Sequence, residues 1–186
     1  MIVFEKLGIN FVHAPKTGGS AVVRALMELE GRLDEWHQAY NVKKQQNMLH
    51  IPWTGLHGPC KQKLPGLTAV FTREPGSLSE SCFNYSRYRK VWLRGAEAFV
   101  STMEKNPRDL PMPMSFYVSY GAGAYLQNVD FVGHFENLVD DFFVMLRLAN
   151  VKVPEGFKFE QVNALPYPEL FSEKQRQRAA AAFQKI

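Results

Sequence analysis

Asn10-Phe11-Val12-His13-Ala14-Pro15-Lys16-Thr17-Gly18-Gly19-Ser20 is the stretch that decides the fold. The apolar run from Ile9 to Val12 reads as a buried strand. It stops at Pro15, and two glycines then precede Val22, Val23, Leu26 and Leu29, which recur at helical spacing. Strand, tight glycine turn and helix N-terminus follow in that order. A turn of this kind aims several backbone N–H groups at one spot, where the helix dipole also favours negative charge. Lys16 adds a full positive charge, and Thr17 and Ser20 add hydroxyl donors. The guest that suits this chemistry is a phosphate. The plainer alternative is an ordinary strand-to-helix turn with a surface lysine.

The phosphate need not belong to ATP. A Walker A loop reads G-x-x-x-x-G-K-[ST], with its lysine after the glycines. Lys16 comes before Gly18 and Gly19, so that loop is not present. Phe11 to Ser20 instead resembles the 5′-phosphosulfate loop of sulfotransferases that use 3′-phosphoadenosine 5′-phosphosulfate (PAPS). The likeness is to the carbohydrate branch, whose loop commonly reads F-x-H-x-P-K-T-G-G-T/S. The resemblance implies that Pro15, Lys16, Thr17, Gly18, Gly19 and Ser20 bind the donor.

Working outward, Met1 to Phe4 adds an edge strand and Ile9 to His13 a central one. A helix runs from Gly18 to about Leu29. Residues from Gly31 to Pro65 are polar and irregular. Leu67 to Thr72 is a second buried strand, rich in Val, Phe and Thr. A helix starts near Ser77 and runs to about Trp92, and another spans Ala96 to Glu104. Asn106 to Met114 holds three prolines and reads as a loop. Val129 to Phe135 is a third buried strand. Glu136 to Leu148 is an amphipathic helix, with Leu138, Val139, Phe142, Phe143 and Leu146 on its apolar face. Ser172 reads as the N-cap of a last helix. The alternation predicts one α/β domain over residues 1–186, with a mainly parallel central sheet flanked by helices. The resemblance narrows this to the P-loop-like sulfotransferase fold. Ligands in such sheets sit beyond the C-terminal strand ends, where both Lys16 and Arg73 fall.

Phe71-Thr72-Arg73-Glu74-Pro75-Gly76-Ser77-Leu78-Ser79-Glu80-Ser81-Cys82-Phe83-Asn84-Tyr85 carries a second likeness. It resembles the family's 3′-phosphate motif, R-[DE]-P-x-x-R-x-x-S-x-[YF]. Arg73 offers a guanidinium fork to a phosphate, and Ser81 offers a hydroxyl. The resemblance assigns both to the 3′-phosphate of PAPS and of its product, 3′-phosphoadenosine 5′-phosphate (PAP). The family's second arginine falls at Leu78, where this chain departs. A third segment, Val129 to Leu138, resembles V-D-F-[VI]-G-R-F-E-N-L, with His134 at the arginine position. It bears on the fold more than on the chemistry.

Sulfuryl transfer is an in-line displacement in which an acceptor hydroxyl attacks sulfur and the 5′-phosphate leaves. Charge grows on the bridging oxygen, and a lysine there stabilises the transition state. Lys16 is the candidate. The acceptor's proton needs a general base. His57, in Thr54-Gly55-Leu56-His57-Gly58-Pro59, is the first choice, because related carbohydrate enzymes often carry a glycine-flanked histidine shortly before the strand that leads to R-[DE]-P. His50 is the runner-up, and His13 is suited to orienting the loop. The resemblance implies no metal, and no spacing of metal ligands stands out. Arg87, Lys90 and Arg94 lie on one helical face, at i, i+3 and i+7, as an anion-attracting or simply solvated face. Trp36, Trp53 and Trp92 are candidates for stacking on adenine or sugar, or for plain burial.

With 46% apolar and 13% aromatic residues, the 186-residue chain is globular. A net charge of +4 suits anionic ligands but is too small to argue for nucleic acid. No apolar run approaches the ~20 residues of a membrane span, and Met1 to Leu7 lacks the features of a signal peptide. The expectation is a soluble, cytoplasmic protein, or a Golgi-lumenal one if the chain is the trimmed part of an anchored protein. Cys60 and Cys82 read as two thiols in a reducing compartment. Three functions compete. The first is a PAPS-dependent sulfotransferase acting on a hydroxyl-bearing acceptor, a carbohydrate by the resemblance. The second is a non-catalytic relative that binds PAP or an anionic glycan. The third, a nucleotide kinase, is disfavoured by the position of Lys16.

Overall fold

The computed structural model describes residues 1–33, 64–160 and 170–186. The chain divides into two compact units. One comprises Met1–Thr72 with Gly123–Asn163, the other Arg73–Ala122 with Ala164–Ile186.

The first unit is an α/β layer on a mixed sheet ordered β1-β2-β3-β4: Ile2–Phe4, Ile9–Val12, Leu67–Thr72 and Phe131–His134. β1 is antiparallel to β2, whereas β2, β3 and β4 run parallel, with Val12 opposite Val70 and Thr72 opposite His134. The parallel steps need crossovers, and helix α1 (Gly19–Glu30) lies in the first of them. One sheet face presents Phe4, Ile9, Phe11, Ala69 and Phe71. These form a single core with Val22 and Leu26 of α1 and with Leu138, Phe142, Met145 and Leu146 of a later helix, Leu138–Leu148. Val12 and Val70 on the opposite face are buried as well. Burial on both faces explains why β2 and β3 read as unbroken apolar runs.

Two glycines set the sheet's tolerances. Gly66, at φ +98°, lets the chain pass so close to Gly8 that a Cβ would sit 2.3 Å from the Gly8 carbonyl. That carbonyl accepts the Leu67 N–H. Gly133 lies opposite Phe71, whose ring fills the space a side chain would take. β4 is not the third buried strand expected from its composition. Val132 and His134 are exposed, because among the described strands β4 has a partner on one side only. Its start is fixed by Asp130, which donates its N–H to the Thr68 carbonyl and accepts the Thr68 N–H at Oδ2, 2.9 Å away. In the helix that follows, Met145 faces the core and Val139 faces solvent, so the apolar face is rotated from the expected one.

The second unit is helical among its described residues: α2 (Pro75–Tyr88), α3 (Ala96–Lys105), α4 (Met114–Tyr120) and, after α5 (Leu138–Leu148) of the first unit, α6 (Glu173–Phe183). Its core joins Leu78, Phe83, Phe99 and Met103, with Phe83 meeting Phe99 edge-on and Phe171 at a tilt, each at 5.4 Å. α6 begins at Ser172, the N-cap expected from the sequence, in a full capping box with Gln175. It is held to α2 by the buried Glu80, which accepts the Phe171 N–H at 2.7 Å and the Arg176 guanidinium at 3.1 Å. It is held to α3 by Arg178, which bridges Glu97 and Glu104 and holds both carboxyls below their usual range. Depressed carboxyl pKa values give a tie that is complete above the ordinary value of 4.5 and is lost as pH falls through the lowered ones. α4 was not apparent in the sequence; it starts where the proline-containing loop of Asn106 to Met114 ends. No helix among the described residues is long and apolar enough to cross a membrane.

Candidate functional site

Pro15, Lys16, Thr17, Gly18, Gly19 and Ser20 form one loop between β2 and α1. Pro15, Thr17 and Gly19 are buried, whereas Lys16, Gly18 and Ser20 are partly exposed. The backbone is left-handed at Lys16 (φ 64°) and at Gly18 (φ 81°). For a lysine this costs roughly 1–2 kcal/mol, so the surroundings must impose it. One clamp is visible. The Thr17 hydroxyl donates to the Ala14 carbonyl at 3.0 Å and closes the turn around Lys16. The donor of Thr17 is therefore committed to the loop itself.

Both glycines are required by contacts. A Cβ on Gly18 would lie 2.8 Å from Leu138 Cδ2 and 3.0 Å from Phe135 Cδ2. The third resembled segment thus forms the wall behind the loop. A Cβ on Gly19 would lie 2.2 Å from Cδ2 and 2.6 Å from Nε2 of the buried His13 ring, which occupies this space. His13 is accordingly packed against the loop at Gly19. Gly18 is also the N-cap of α1; it brings no side-chain cap, and the first turn holds no acidic residue. The positive end of α1 is left without a carboxylate of its own.

Arg73 and Ser81 belong to the second unit. Glu74 is the N-cap of α2, with its carboxylate accepting the N–H groups of Gly76 at 2.7 Å and Ser77 at 2.6 Å, and Pro75 takes the first helical position. Arg-Glu-Pro therefore has a local logic: the arginine precedes the cap, the acid caps and the proline starts the helix. Arg73 Nε donates to Ser77 Oγ at 2.8 Å. Ser77 and Ser81 are four residues apart and share a helix face, so Arg73, Ser77 and Ser81 form one row. Ser77 is the residue that sequence reasoning missed. Its spacing of four from Arg73 at a helix start was the available signal. Leu78, at the family's second arginine position, is a core residue at 2% exposure.

His57 and His50, the candidate bases, lie outside the described residues, as do Trp36, Trp53 and Cys60. Cys82 is buried in α2. Trp92 is half-buried, packing edge-on against Phe99 at 5.4 Å and beneath the Arg94 guanidinium. The expected basic face of Arg87, Lys90 and Arg94 does not form. α2 ends at Tyr88, and Lys90 is left-handed at φ 56°. His134, on the exposed end of β4, directs its backbone N–H to Asp141 at 2.7 Å and its Nδ1 toward the same carboxylate at 3.4 Å. Among the described residues no cluster of three or more His, Cys, Asp or Glu side chains is arranged to hold a metal. No protein-family model, curated protein or solved structure matches the chain.

Proposed function

We propose that the chain is a PAPS-dependent sulfotransferase that moves a sulfuryl group to a hydroxyl of a carbohydrate acceptor, on a P-loop-like sulfotransferase fold. The observation that carries the reading is the loop at the end of β2. A lysine is held left-handed there, beside a helix N-terminus with neither side-chain cap nor acid. Strain of this kind, kept in place by the Thr17 hydroxyl and the His13–Gly19 contact, is characteristic of sites where the geometry serves a ligand. Loops with left-handed residues beside a helix start make concave anion sites. The second support is the Arg73, Ser77 and Ser81 row, a fork braced by one hydroxyl and followed by a second, suited to a second phosphate.

On this reading Lys16 and the loop N–H groups bind the 5′-phosphosulfate. Lys16 stabilises negative charge on the oxygen that bridges sulfur and phosphorus as that bond breaks. Arg73 and Ser81 bind the 3′-phosphate, with Ser77 orienting Arg73. His57 accepts the proton of the attacking hydroxyl. The new bond joins acceptor oxygen to sulfur, and the electron pair of the broken bond leaves with the 5′-phosphate.

Calorimetric titration with PAP in EDTA, paired with a radiolabelled-sulfate transfer assay, tests the reading. Binding without added magnesium, transfer to a glycan acceptor, and a fall in turnover of ~10²–10³ in Lys16→Ala are expected. His57→Ala should keep PAP affinity and lose ~10²–10⁴ in turnover. Absence of heat from PAP at high protein concentration sinks the proposal. A second reading, a PAP- or glycan-binding relative without turnover, is favoured by one observation. The family's second arginine position is taken by a core leucine, Leu78. PAP binding with no transfer to any acceptor would select it.

A further inference from the structure

We infer that His134, held by Asp141 at the end of β4, accepts a hydrogen bond from a non-reacting hydroxyl of the sugar acceptor. The inference rests on the proposed donor site and adds the acceptor's side to it. His134 belongs to the third resembled segment, where it stands at the arginine position.

Two contacts fix the residue. Its backbone N–H donates to Asp141 Oδ2 at 2.7 Å, and its Nδ1 lies 3.4 Å from the same oxygen. Asp141 stands in the first turn of α5. The backbone bond is the short one, and it ties β4 to α5 without needing the ring. The ring itself is 59% exposed, and an exposed pair of this kind adds little to stability. Its effect is on the imidazole. A carboxylate against Nδ1 selects the neutral tautomer that carries its proton there. Nε2, on the far side of the ring, then presents a lone pair.

Placement supplies the rest. His134 lies opposite Thr72, so the two share a sheet face, and both stand at the C-terminal ends of parallel strands, where ligands of such sheets bind. Phe135, next in the chain, is one of the side chains that a Cβ on Gly18 would meet. β4 is two strand spacings from β2, or ~10 Å, along the same row of strand ends. A span of that size places His134 beside a hydroxyl further along the sugar, not the one that attacks sulfur at the Lys16 loop. The reacting proton is left to His57. A sugar carries several hydroxyls, each a donor that suits a bare imidazole nitrogen.

PAP calorimetry, with sulfate transfer from saturating PAPS to chitohexaose, desulfated chondroitin and desulfated heparin, is the test. His134→Ala should raise KM for the best of these acceptors roughly three- to tenfold, with kcat and PAP affinity held within about twofold. His134→Gln should recover most of the loss, because its Oε1 still accepts. Asp141→Asn should raise KM as His134→Ala does, since the amide can donate to Nδ1 and move the ring proton to Nε2. The double variant should add nothing to either single one. Unchanged heat from PAP will report that each variant folds. A KM that ignores His134→Ala or Asp141→Asn overturns the inference and leaves the donor site standing. So does a fall in kcat at unchanged KM, which would make His134 the proton acceptor instead. PAP binding with no transfer to any of the three sugars overturns it as well. No heat from PAP with the wild-type chain is a different failure, that of the donor site itself, and takes the inference with it.

Discussion

At the end of β2 the chain turns into α1 through Gly18, while at the end of the adjacent β3 it turns into α2 through Glu74. Both are strand-to-helix turns after parallel strands, yet the helix starts differ in chemistry. α1 begins with a left-handed glycine, no side-chain cap and no acid in its first turn. α2 begins with a carboxylate that already binds two of its N–H groups. An anion arriving at α1 meets unneutralised helix dipole, whereas at α2 that place is held by Glu74. A phosphate near α2 therefore has to be gripped by side chains, and Arg73, braced by Ser77, is the group in position for it. On the proposed reading, the first turn binds its anion through the backbone and the second through side chains.

The largest effect expected is at Gly18, set against the matching glycine of the second turn, Gly76. Gly18→Ala forces a left-handed alanine, at ~1–2 kcal/mol, and pushes a methyl into Leu138 and Phe135, at a further ~1–3 kcal/mol. Gly76→Ala keeps an ordinary helical position and meets the Arg176 carbonyl at 3.0 Å and the Glu74 carboxylate at 3.2 Å, a tight fit set against a helix gain of ~0.5–1 kcal/mol. Urea unfolding should show Gly18→Ala clearly destabilised and Gly76→Ala near wild type. Equal losses would mean that the two turns share one construction after all.

Next in size is Arg73→Ala. A lost charged hydrogen bond is worth ~1.5–3 kcal/mol, or roughly ten- to a hundredfold. The loss should fall on PAP and spare adenosine 5′-phosphosulfate, which lacks the 3′-phosphate. Calorimetry with both ligands decides it, and equal losses would place Arg73 elsewhere on the nucleotide or in the fold.

The difference between the turns also marks what the sequence could disclose. β3 was legible to the residue, because Leu67 to Thr72 is an apolar run bounded by Pro65-Gly66 and Arg73. The glycine loop was legible for the same reason, as punctuation between two periodic segments. The start of α2 was read near Ser77 because apolar periodicity begins there, but the cap and Pro75 start the helix at Pro75. The end of α2 was misjudged in the opposite sense. Residues 87 to 94 keep a helical spacing of charges, and no proline or glycine marks the stop before Gly95. The break is made instead by left-handed Lys90 and the Ser86 carbonyl, neither of which is visible in a pattern of residue types. Ser77 went unnoticed because its partner is a guanidinium on the preceding turn, a contact that exists only once Glu74 has set the helix start. The left-handed Lys16 is likewise beyond sequence, since lysine rarely adopts that geometry unless packing compels it.

Smaller still is the effect of removing the cap. Glu74→Ala frees the Gly76 and Ser77 N–H groups, and losing an N-cap typically costs ~0.5–2 kcal/mol of stability. The same change strips negative charge from beside Arg73 and uncovers the helix dipole, so PAP affinity should rise or hold while stability falls. A variant that loses both together would show that the cap positions Arg73 as well as starting the helix.

The smallest and most discriminating change is Ser77→Ala. Ser77 Oγ accepts from Arg73 Nε at 2.8 Å, so its role is to hold the guanidinium plane. A bond of this sort contributes ~0.5–1.5 kcal/mol. Ser77 is partly exposed, so its replacement leaves no buried polar group stranded and helix propensity favours alanine. Stability should therefore change little. PAP affinity should drop by a few-fold through Arg73 alone, and the loss should vanish when measured in an Arg73→Ala background. That double-mutant cycle separates a positioning role from an independent contact. If Ser77→Ala weakens PAP equally with Arg73 present or absent, the hydroxyl touches the phosphate itself, and the second turn binds its anion through three side chains and not two.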